Sequence, residues 1–195
     1  MERELFMAGI GGQGVQLVTK ILAHALNLEN RYVMHFAEYG GTMRGGNVEC
    51  TVITGTGELS APPIIPSTWL AITMHPEATP KAKAKLRKGS LLVVNSSLVK
   101  GEKTPPGGAL LEVPASEIAS QINNVQGAAM IMTGAVCRAT GLVSKAHLLQ
   151  GLKDLTPSYR ARTIETNVKA FEAGDAYAAE HLKAFLIKAW EPVAA

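Results

Sequence analysis

Residues 7–16 read MAGIGGQGVQ, and this stretch decides the fold because it joins two kinds of hydrophobic pattern. The residues before the glycines, 4–9 (ELFMAG), form a short apolar run typical of a buried strand. The residues after them, 15–28 (VQLVTKILAHALNL), carry apolar side chains at helical spacing. A strand, a glycine turn and a helix in this order predict the first unit of an α/β protein.

The rest of the chain continues this alternation. Short apolar or alternating runs predict five more strands, at 31–38, 47–55, 69–74, 90–97 and 109–114. Helices are predicted at 76–89, after Pro114, and over most of the chain from Gln126, with a last long stretch from Tyr159 to about Ala189. The predicted fold class is therefore α/β with three layers: a mainly parallel sheet with helices on both faces, a Rossmann-like glycine loop and a helical C-terminal part. Because no repeat or change of composition interrupts the chain, residues 1–195 are expected to form a single domain.

Composition excludes several function classes. The net charge is only +3 and the basic residues are scattered, so no nucleic-acid partner is expected. Cys50 and Cys137 are too few and too far apart for an iron–sulfur cluster, and the five histidines show no metal-ligand spacing, so no metal is expected in this chain. With no apolar run of 18 residues and no signal-peptide pattern, we expect no membrane span and a cytoplasmic location.

The first glycine loop allows two interpretations. Gly9, Gly11 and Gly14 match G-x-G-x-x-G between a strand and a helix, and Glu38 ends the next strand, where dinucleotide-binding proteins place a ribose-binding acid. However, Gln13 lies where its side chain can occupy the backbone amides that a phosphate would use. The glycines either contact a cofactor phosphate or simply let a helix pack closely on a strand.

Two further segments are candidates for ligand contact. The loop 39–46 (YGGTMRGG) surrounds Arg44 with glycines, and a guanidinium suits a phosphate or a carboxylate, although a lone arginine is often a solvated charge or part of an internal salt bridge. Asn95, Ser96 and Ser97 follow a buried strand, where α/β sheets commonly bind ligands. Their alternative role is to cap the adjoining loop through side-chain hydrogen bonds.

Taken together, the motifs resemble the gamma subunit of 2-oxoacid:ferredoxin oxidoreductases over residues 4–180. The resemblance rests on the order of GGQG, YGGTMRGG with the V-x-C-x-V strand after it, SAPPI, LLVVNSSLV and a late N-x-x-A-F-x-x-G motif at Asn167, Ala170, Phe171 and Gly174.

This resemblance implies a non-catalytic subunit of a larger enzyme. Members of the family decarboxylate a 2-oxoacid oxidatively and transfer the acyl group to coenzyme A. It implies that thiamine diphosphate, Mg²⁺ and iron–sulfur clusters lie in partner subunits of the alpha, beta and delta types. Electrons pass to ferredoxin, or to NAD through an extra subunit. The implied substrate is 2-oxoglutarate or an aryl 2-oxoacid such as phenylglyoxylate or indolepyruvate, with pyruvate and branched-chain 2-oxoacids as further candidates.

For this chain the resemblance implies positioning and coenzyme A contact. No G-x-S-x-G motif or carboxylate pair supplies a catalytic residue, so none is predicted. The residues predicted to contact the cofactor are Gly9, Gly11, Gly12, Gln13, Gly14, Tyr39, Arg44, Gly45, Gly46, Asn95 and Ser96. Two alternatives stay open: a self-sufficient Rossmann-type oxidoreductase that binds NAD or FAD, and a scaffold without ligand contact.

Overall fold

The computed structural model describes residues 1–39, 45–60 and 64–190, and of Tyr39 it describes the backbone. These ranges contain six strands, six α-helices and three short 3-10 turns. The strands are β1 (Glu2–Ile10), β2 (Tyr32–Tyr39), β3 (Asn47–Gly55), β4 (Thr68–Thr73), β5 (Leu86–Asn95) and β6 (Ala109–Val113). The helices are α1 (Val15–Leu28), α2 (Thr79–Ala84), α3 (Ala115–Gln121), α4 (Ala128–Thr140), α5 (Lys145–Leu155) and α6 (Arg162–His181).

The strands form one sheet in the order β2-β3-β1-β4-β5-β6. β3 pairs antiparallel with both β1 and β2, whereas β1, β4, β5 and β6 pair with parallel neighbours. The carboxyl ends of five strands therefore meet at one edge of the sheet, together with the amino end of β3. The first glycine loop, Gly45 and Gly46 of the second, and the polar segment after β5 lie at this edge, where α/β proteins commonly bind ligands.

The two faces of the sheet are covered unequally. On the first face, Leu5, Met7, Val52, Ile72 and Val93 join a large buried core with side chains from α1, α3, α4, α5 and α6. On the second face a smaller buried cluster surrounds Phe6 and Leu92, and α2 is the helix that packs there among the described elements. The predicted mainly parallel sheet with helices on both faces is thus confirmed, although its second helical layer is thin.

Two helix predictions were wrong in extent. The predicted helix 76–89 divides into a 3-10 turn at Pro76–Ala78 and the six-residue α2, and the chain from Leu86 onward already belongs to β5. The predicted last helix ends at His181, well before Ala189. There the chain leaves the helix, because Leu186 and Ala189 donate backbone hydrogen bonds to the carbonyls of Ala139 and Thr140 at the end of α4.

Helices α4 and α6 cross closely because each has a glycine at the contact. A Cβ on Gly174 would lie 1.9 Å from the carbonyl oxygen of Ile131, and one on Gly134 would lie 2.2 Å from that of Phe171. Ala170, Phe171 and Gly174 of the late sequence motif therefore serve this helix packing, since Ala170 and Phe171 are also buried. No helix in the described ranges is both long enough and apolar enough to cross a membrane.

Candidate functional site

The first glycine loop connects β1 to α1 through backbone conformations that favour glycine. Gly12 has φ 97° and Gly14 has φ 79°, both in the left-handed region that a side chain disfavours. Gly14 is the N-cap residue of α1 and, having no side chain, makes no capping hydrogen bond to the first turn of this helix. The backbone N–H groups that begin α1 thus lie next to a residue without a side chain, an arrangement that suits a negatively charged group.

Gln13 ties this loop to the end of β4. Its side-chain oxygen accepts a 2.9 Å hydrogen bond from the backbone N–H of Ile10, and its side-chain nitrogen donates a 3.2 Å bond to the carbonyl of Met74. A Cβ on Gly9 would lie 2.5 Å from the same side-chain oxygen, so Gly9 leaves the space that Gln13 fills. Gln13 and Gly9 therefore shape the loop, and their predicted contact with a cofactor stays a prediction.

The two glycine-rich loops touch each other. The N–H of Gly11 donates a 2.9 Å hydrogen bond to the carbonyl of Gly46, and a Cβ on Gly11 would lie 3.2 Å from the nitrogen of Gly45. Gly45 has φ 97° and is exposed. The structure thus brings Gly11 of the first loop together with Gly45 and Gly46 of the second, and we call this side of the sheet the glycine-loop edge. Arg44, also predicted to contact the cofactor, lies outside the described residues. The backbone of Tyr39 pairs with Val48 of β3, and its predicted cofactor contact stays a prediction.

Glu38 does not hold the position of a ribose-binding acid. In the dinucleotide fold the second strand lies directly beside the first. Here β3 separates β2 from β1, and Glu38 faces Glu49 of β3. The carboxylate of Glu49 in turn forms a 2.6 Å ion pair with Lys81 of α2, on the thinly covered face. The acid suggested by sequence spacing is therefore one strand away from the glycine loop.

Asn95 and Ser97 cap α3, the alternative that the sequence left open. The Asn95 side chain is fully buried; its nitrogen donates a 2.8 Å bond to the hydroxyl of Ser116, and its oxygen accepts a 3.3 Å bond from the N–H of the same residue. The Ser97 hydroxyl accepts a 3.1 Å bond from the N–H of Glu117. Ser96 donates its backbone N–H to the carbonyl of Val113, which ties the segment to β6. The contact predicted for Asn95 and Ser96 with a cofactor remains a prediction.

A pocket of about 370 Å³ opens beside the first glycine loop, and we call it the glycine-loop pocket. Its lining includes Gly12 and Gly14, Arg160 from the chain between α5 and α6, and Asn167 from the start of α6. Arg160 is exposed, with its guanidinium 5.5 Å from the Tyr159 ring centroid. Asn167 belongs to the late sequence motif, so that motif could have indicated that the start of α6 lines a pocket. Arg160 belongs to no sequence motif and lies about 150 residues after the glycine loop, so no local pattern indicated that it lines this pocket.

Two buried cysteines and the half-buried His35 have pKa values shifted by burial. Burial, with smaller effects from Asp175 and Glu29, raises the pKa of the Cys137 thiol to about 12, and burial also raises the pKa of Cys50. The pKa of His35 is lowered, mainly by burial and also by Lys20. In the described part of the chain, no three His, Cys, Asp or Glu side chains cluster in a way that could hold a metal ion. The described part of the site therefore offers backbone amides and the Arg160 guanidinium for binding, and no activated nucleophile.

Comparison with known proteins gives a consistent result. A family model described as pyruvate ferredoxin/flavodoxin oxidoreductase matches residues 4–177. The 2-oxoglutarate synthase subunit KorC of Methanocaldococcus jannaschii is 30% identical over 177 residues, which cover 89% of this chain and 92% of that protein. The indolepyruvate oxidoreductase subunit IorB of Methanothermobacter thermautotrophicus is 25% identical and is matched over 100% of its length by 92% of this chain.

Solved structures show the same fold. The gamma subunit of a keto/oxoacid ferredoxin oxidoreductase from Geobacter sulfurreducens has a TM-score of 0.77 and 27% identity, covering 92% of this chain and 98% of that one. A chain of the 2-oxoglutarate:ferredoxin oxidoreductase from Magnetococcus marinus, solved with 2-oxoglutarate, coenzyme A and succinyl-CoA bound, has a TM-score of 0.85 at 21% identity. That match covers 98% of this chain but 33% of the Magnetococcus chain, so this protein spans about a third of that polypeptide.

Proposed function

This chain belongs to the pyruvate ferredoxin/flavodoxin oxidoreductase family as a gamma-type subunit, and from this premise we propose that its glycine-loop edge helps to bind coenzyme A in the assembled enzyme. The predicted resemblance is confirmed by the family match and by the gamma subunit from Geobacter sulfurreducens. The chain is accordingly a subunit of an oxidoreductase that acts on 2-oxoacids. Coenzyme A is the ligand that we propose for its glycine loops.

The observation that carries the proposal is the meeting of both glycine loops beside the glycine-loop pocket. Coenzyme A combines several phosphate charges with a long, mostly uncharged thiol arm. Gly12, Gly14 and the start of α1, which has a glycine at its N-cap, offer N–H donors to a phosphate, and Arg160 of the pocket lining offers a guanidinium. Leu17 and Leu155 give the same pocket apolar surface for the arm. Arg44 adds a second cation in the loop that Gly11 contacts through Gly46.

The assembled enzyme needs further subunits, cofactors, a substrate and an electron acceptor. We propose that partner subunits of the alpha, beta and delta types hold thiamine diphosphate, Mg²⁺ and the iron–sulfur clusters, and that ferredoxin accepts the electrons. We propose 2-oxoglutarate as the substrate, because the similar KorC subunits carry the name 2-oxoglutarate synthase. Aryl and branched-chain 2-oxoacids are alternatives, since relatives named for indolepyruvate and ketoisovalerate also match. This chain's part is to hold one substrate near the reacting group, which replaces a bimolecular encounter with an oriented one.

The test is a kinetic comparison on the assembled enzyme. Arg44→Ala and Arg160→Gln are each expected to raise the KM for coenzyme A about tenfold, equivalent to about 1.4 kcal/mol of lost binding, with the KM for the 2-oxoacid unchanged. The matched control is Arg162→Gln, because Arg162 is exposed and nearby but does not line the pocket. If both test variants assemble normally and leave the KM for coenzyme A unchanged, this chain is a scaffold without ligand contact.

A further inference from the structure

A second, larger pocket lies far from the glycine-loop edge, under the connection from β5 to β6. A parallel connection of this kind usually contains a helix. Here residues 96–108 include Pro105 and Pro106 and form no helix, and the space below them is a pocket of about 550 Å³. We call it the basic pocket; its lining residues are Lys83, Leu86, Arg87, Lys88, Leu92 and Lys103, together with the stretch 104–107.

A bulge in β5 places two neighbouring basic residues in the lining of this pocket. Between the pairs Thr68–Leu86 and Leu70–Leu91, β5 advances five residues while β4 advances two. Adjacent residues of a regular strand point to opposite faces of the sheet, yet Arg87 and Lys88 both line the pocket. Gly89, with φ 75°, lies in the same bulge. Bulges commonly redirect side chains at functional sites, so this one gives the pocket a specific construction.

The loop above the pocket is braced against the strand below it. A Cβ on Gly108 would lie 2.2 Å from the carbonyl oxygen of Ser90, so the loop approaches β5 more closely than any side chain permits. At Gly107, which has φ 64°, a Cβ would lie 3.3 Å from Cγ of Lys88. Prolines restrict the backbone at Pro105 and Pro106. The wall is therefore largely preformed, as walls of small-molecule sites commonly are.

Charge in the pocket is only partly neutralised from within the protein. Lys83 forms a 2.6 Å ion pair with Glu102, and Arg87 forms a 2.9 Å ion pair with Glu4. Lys88 and Lys103 form no ion pair with a described residue and are exposed. Residues 76–103 together contain seven Lys or Arg against two Glu, in a chain whose net charge is only +3. Lys88 and Lys103 thus line the same pocket as the apolar side chains of Leu86 and Pro105.

We propose that the basic pocket is a second ligand site, for a small organic anion that joins a carboxylate or phosphate group to an apolar body. The anionic group is held by Lys88 and Lys103, and the apolar body packs on Leu86 and the proline wall. The volume lies within the range of about 300–1,000 Å³ that is usual for small-molecule sites. This site is independent of coenzyme A binding, because it uses the opposite ends of β5 and β6 from the glycine-loop edge.

The test uses two fluorescent probes of similar shape and different charge, anilinonaphthalene sulfonate and the uncharged phenylnaphthylamine, with the full-length chain. We expect one sulfonate probe to bind per chain and the uncharged probe to bind much more weakly. The double variant Lys88→Ala/Lys103→Ala should weaken sulfonate binding about tenfold, or about 1.4 kcal/mol. The matched control is Lys20→Ala/Lys153→Ala, which removes two exposed lysines away from the pocket.

Three results would overturn the proposal: equal binding of both probes, equal loss in the control variant, or loss of sulfonate binding when the chain assembles with its partner subunits. The last would show that a partner polypeptide covers the pocket. Circular dichroism shows whether the double alanine variant is folded. If it is not, Lys88→Gln/Lys103→Gln removes the same two positive charges with side chains of more similar size. The Arg44→Ala and Arg160→Gln variants should retain sulfonate binding, so failure of the coenzyme A proposal is distinguishable from failure of this one.

Discussion

The backbone N–H of Gly11 donates a 2.9 Å hydrogen bond to the carbonyl of Gly46, which joins the loop after β1 to the loop before β3. The bond exists because β3 runs antiparallel beside β1 and pairs Ile10 with Asn47 at the ends of the two strands. An inserted antiparallel strand therefore does two things. It brings the two glycine loops together, and it moves Glu38 away from them.

The shape of the first loop depends on Gln13. Gln13→Ala removes the hydrogen bonds to Ile10 and Met74 and leaves the N–H of Ile10 without this partner. We expect a loss of about 1–2 kcal/mol in the free energy of unfolding, which for a chain of this size lowers Tm by several degrees. Thermal unfolding followed by circular dichroism measures it. Gln121→Ala, at an exposed glutamine at the end of α3, should shift Tm by less than about 1 °C.

Nucleotide binding by the isolated chain distinguishes a gamma-type subunit from a self-sufficient Rossmann-type oxidoreductase. Because β3 separates Glu38 from the glycine loop, the described residues do not place an acid for the ribose beside a loop for the pyrophosphate, as a dinucleotide fold does. Isothermal titration calorimetry should therefore detect no binding of NAD or FAD. Micromolar binding of either nucleotide that Glu38→Ala abolishes would support the self-sufficient oxidoreductase instead.

The crossing of α4 and α6 tolerates no added methyl group. Gly174→Ala would place Cβ 1.9 Å from the carbonyl oxygen of Ile131, which is backbone and cannot rotate away. Overpacking of this kind costs about 3 kcal/mol or more, so we expect a large fall in Tm or loss of the folded protein. At Gly57 a Cβ would meet no atom within 4 Å, and Gly57→Ala serves as the control. Equal Tm values for the two variants would show that the helices do not cross this closely.

Cys137 should make stability depend on alkaline pH. The folded protein holds this thiol neutral, with its pKa raised by burial to about 12, whereas in the unfolded chain the thiol ionises near its ordinary pKa. The stabilising effect is therefore complete below the unfolded pKa and is lost progressively as the pH rises toward the folded pKa. Urea unfolding at pH 9 and pH 10 should show a decline about 1 kcal/mol larger for the unmodified chain than for Cys137→Ala. Equal declines would mean that the thiol is accessible to water.

Local sequence signals predicted the strands well and failed where distant parts of the chain decide the structure. The alternating pattern at 47–55 coincides with β3, because one face of that strand packs on the core. The basic stretch up to Gly89 has helical composition, but pairing of Leu86 with Thr68 draws its last residues into β5. Likewise, the chain leaves α6 after His181 to bond with the end of α4.

The candidate site was predicted in its parts and not in its arrangement. Both glycine loops are recognisable in the sequence, yet their contact depends on the position of β3 in the sheet, which no local pattern encodes. Asn95 could be a ligand contact or a cap, and Ser116, with which it forms the capping hydrogen bond, lies beyond the next strand. Arg160 reaches the glycine-loop pocket only through the packing of the last helices.

Hydrogen exchange of the assembled enzyme, with and without coenzyme A, tests the central claim most directly. If coenzyme A contacts the glycine-loop edge, it should slow exchange in peptides that cover residues 10–17 and 156–160, while peptides from β2 and α2 stay unchanged and the 2-oxoacid alone has no such effect. Unchanged exchange in the peptides that cover residues 10–17 and 156–160 at saturating coenzyme A would contradict the account and leave this subunit with a purely structural role.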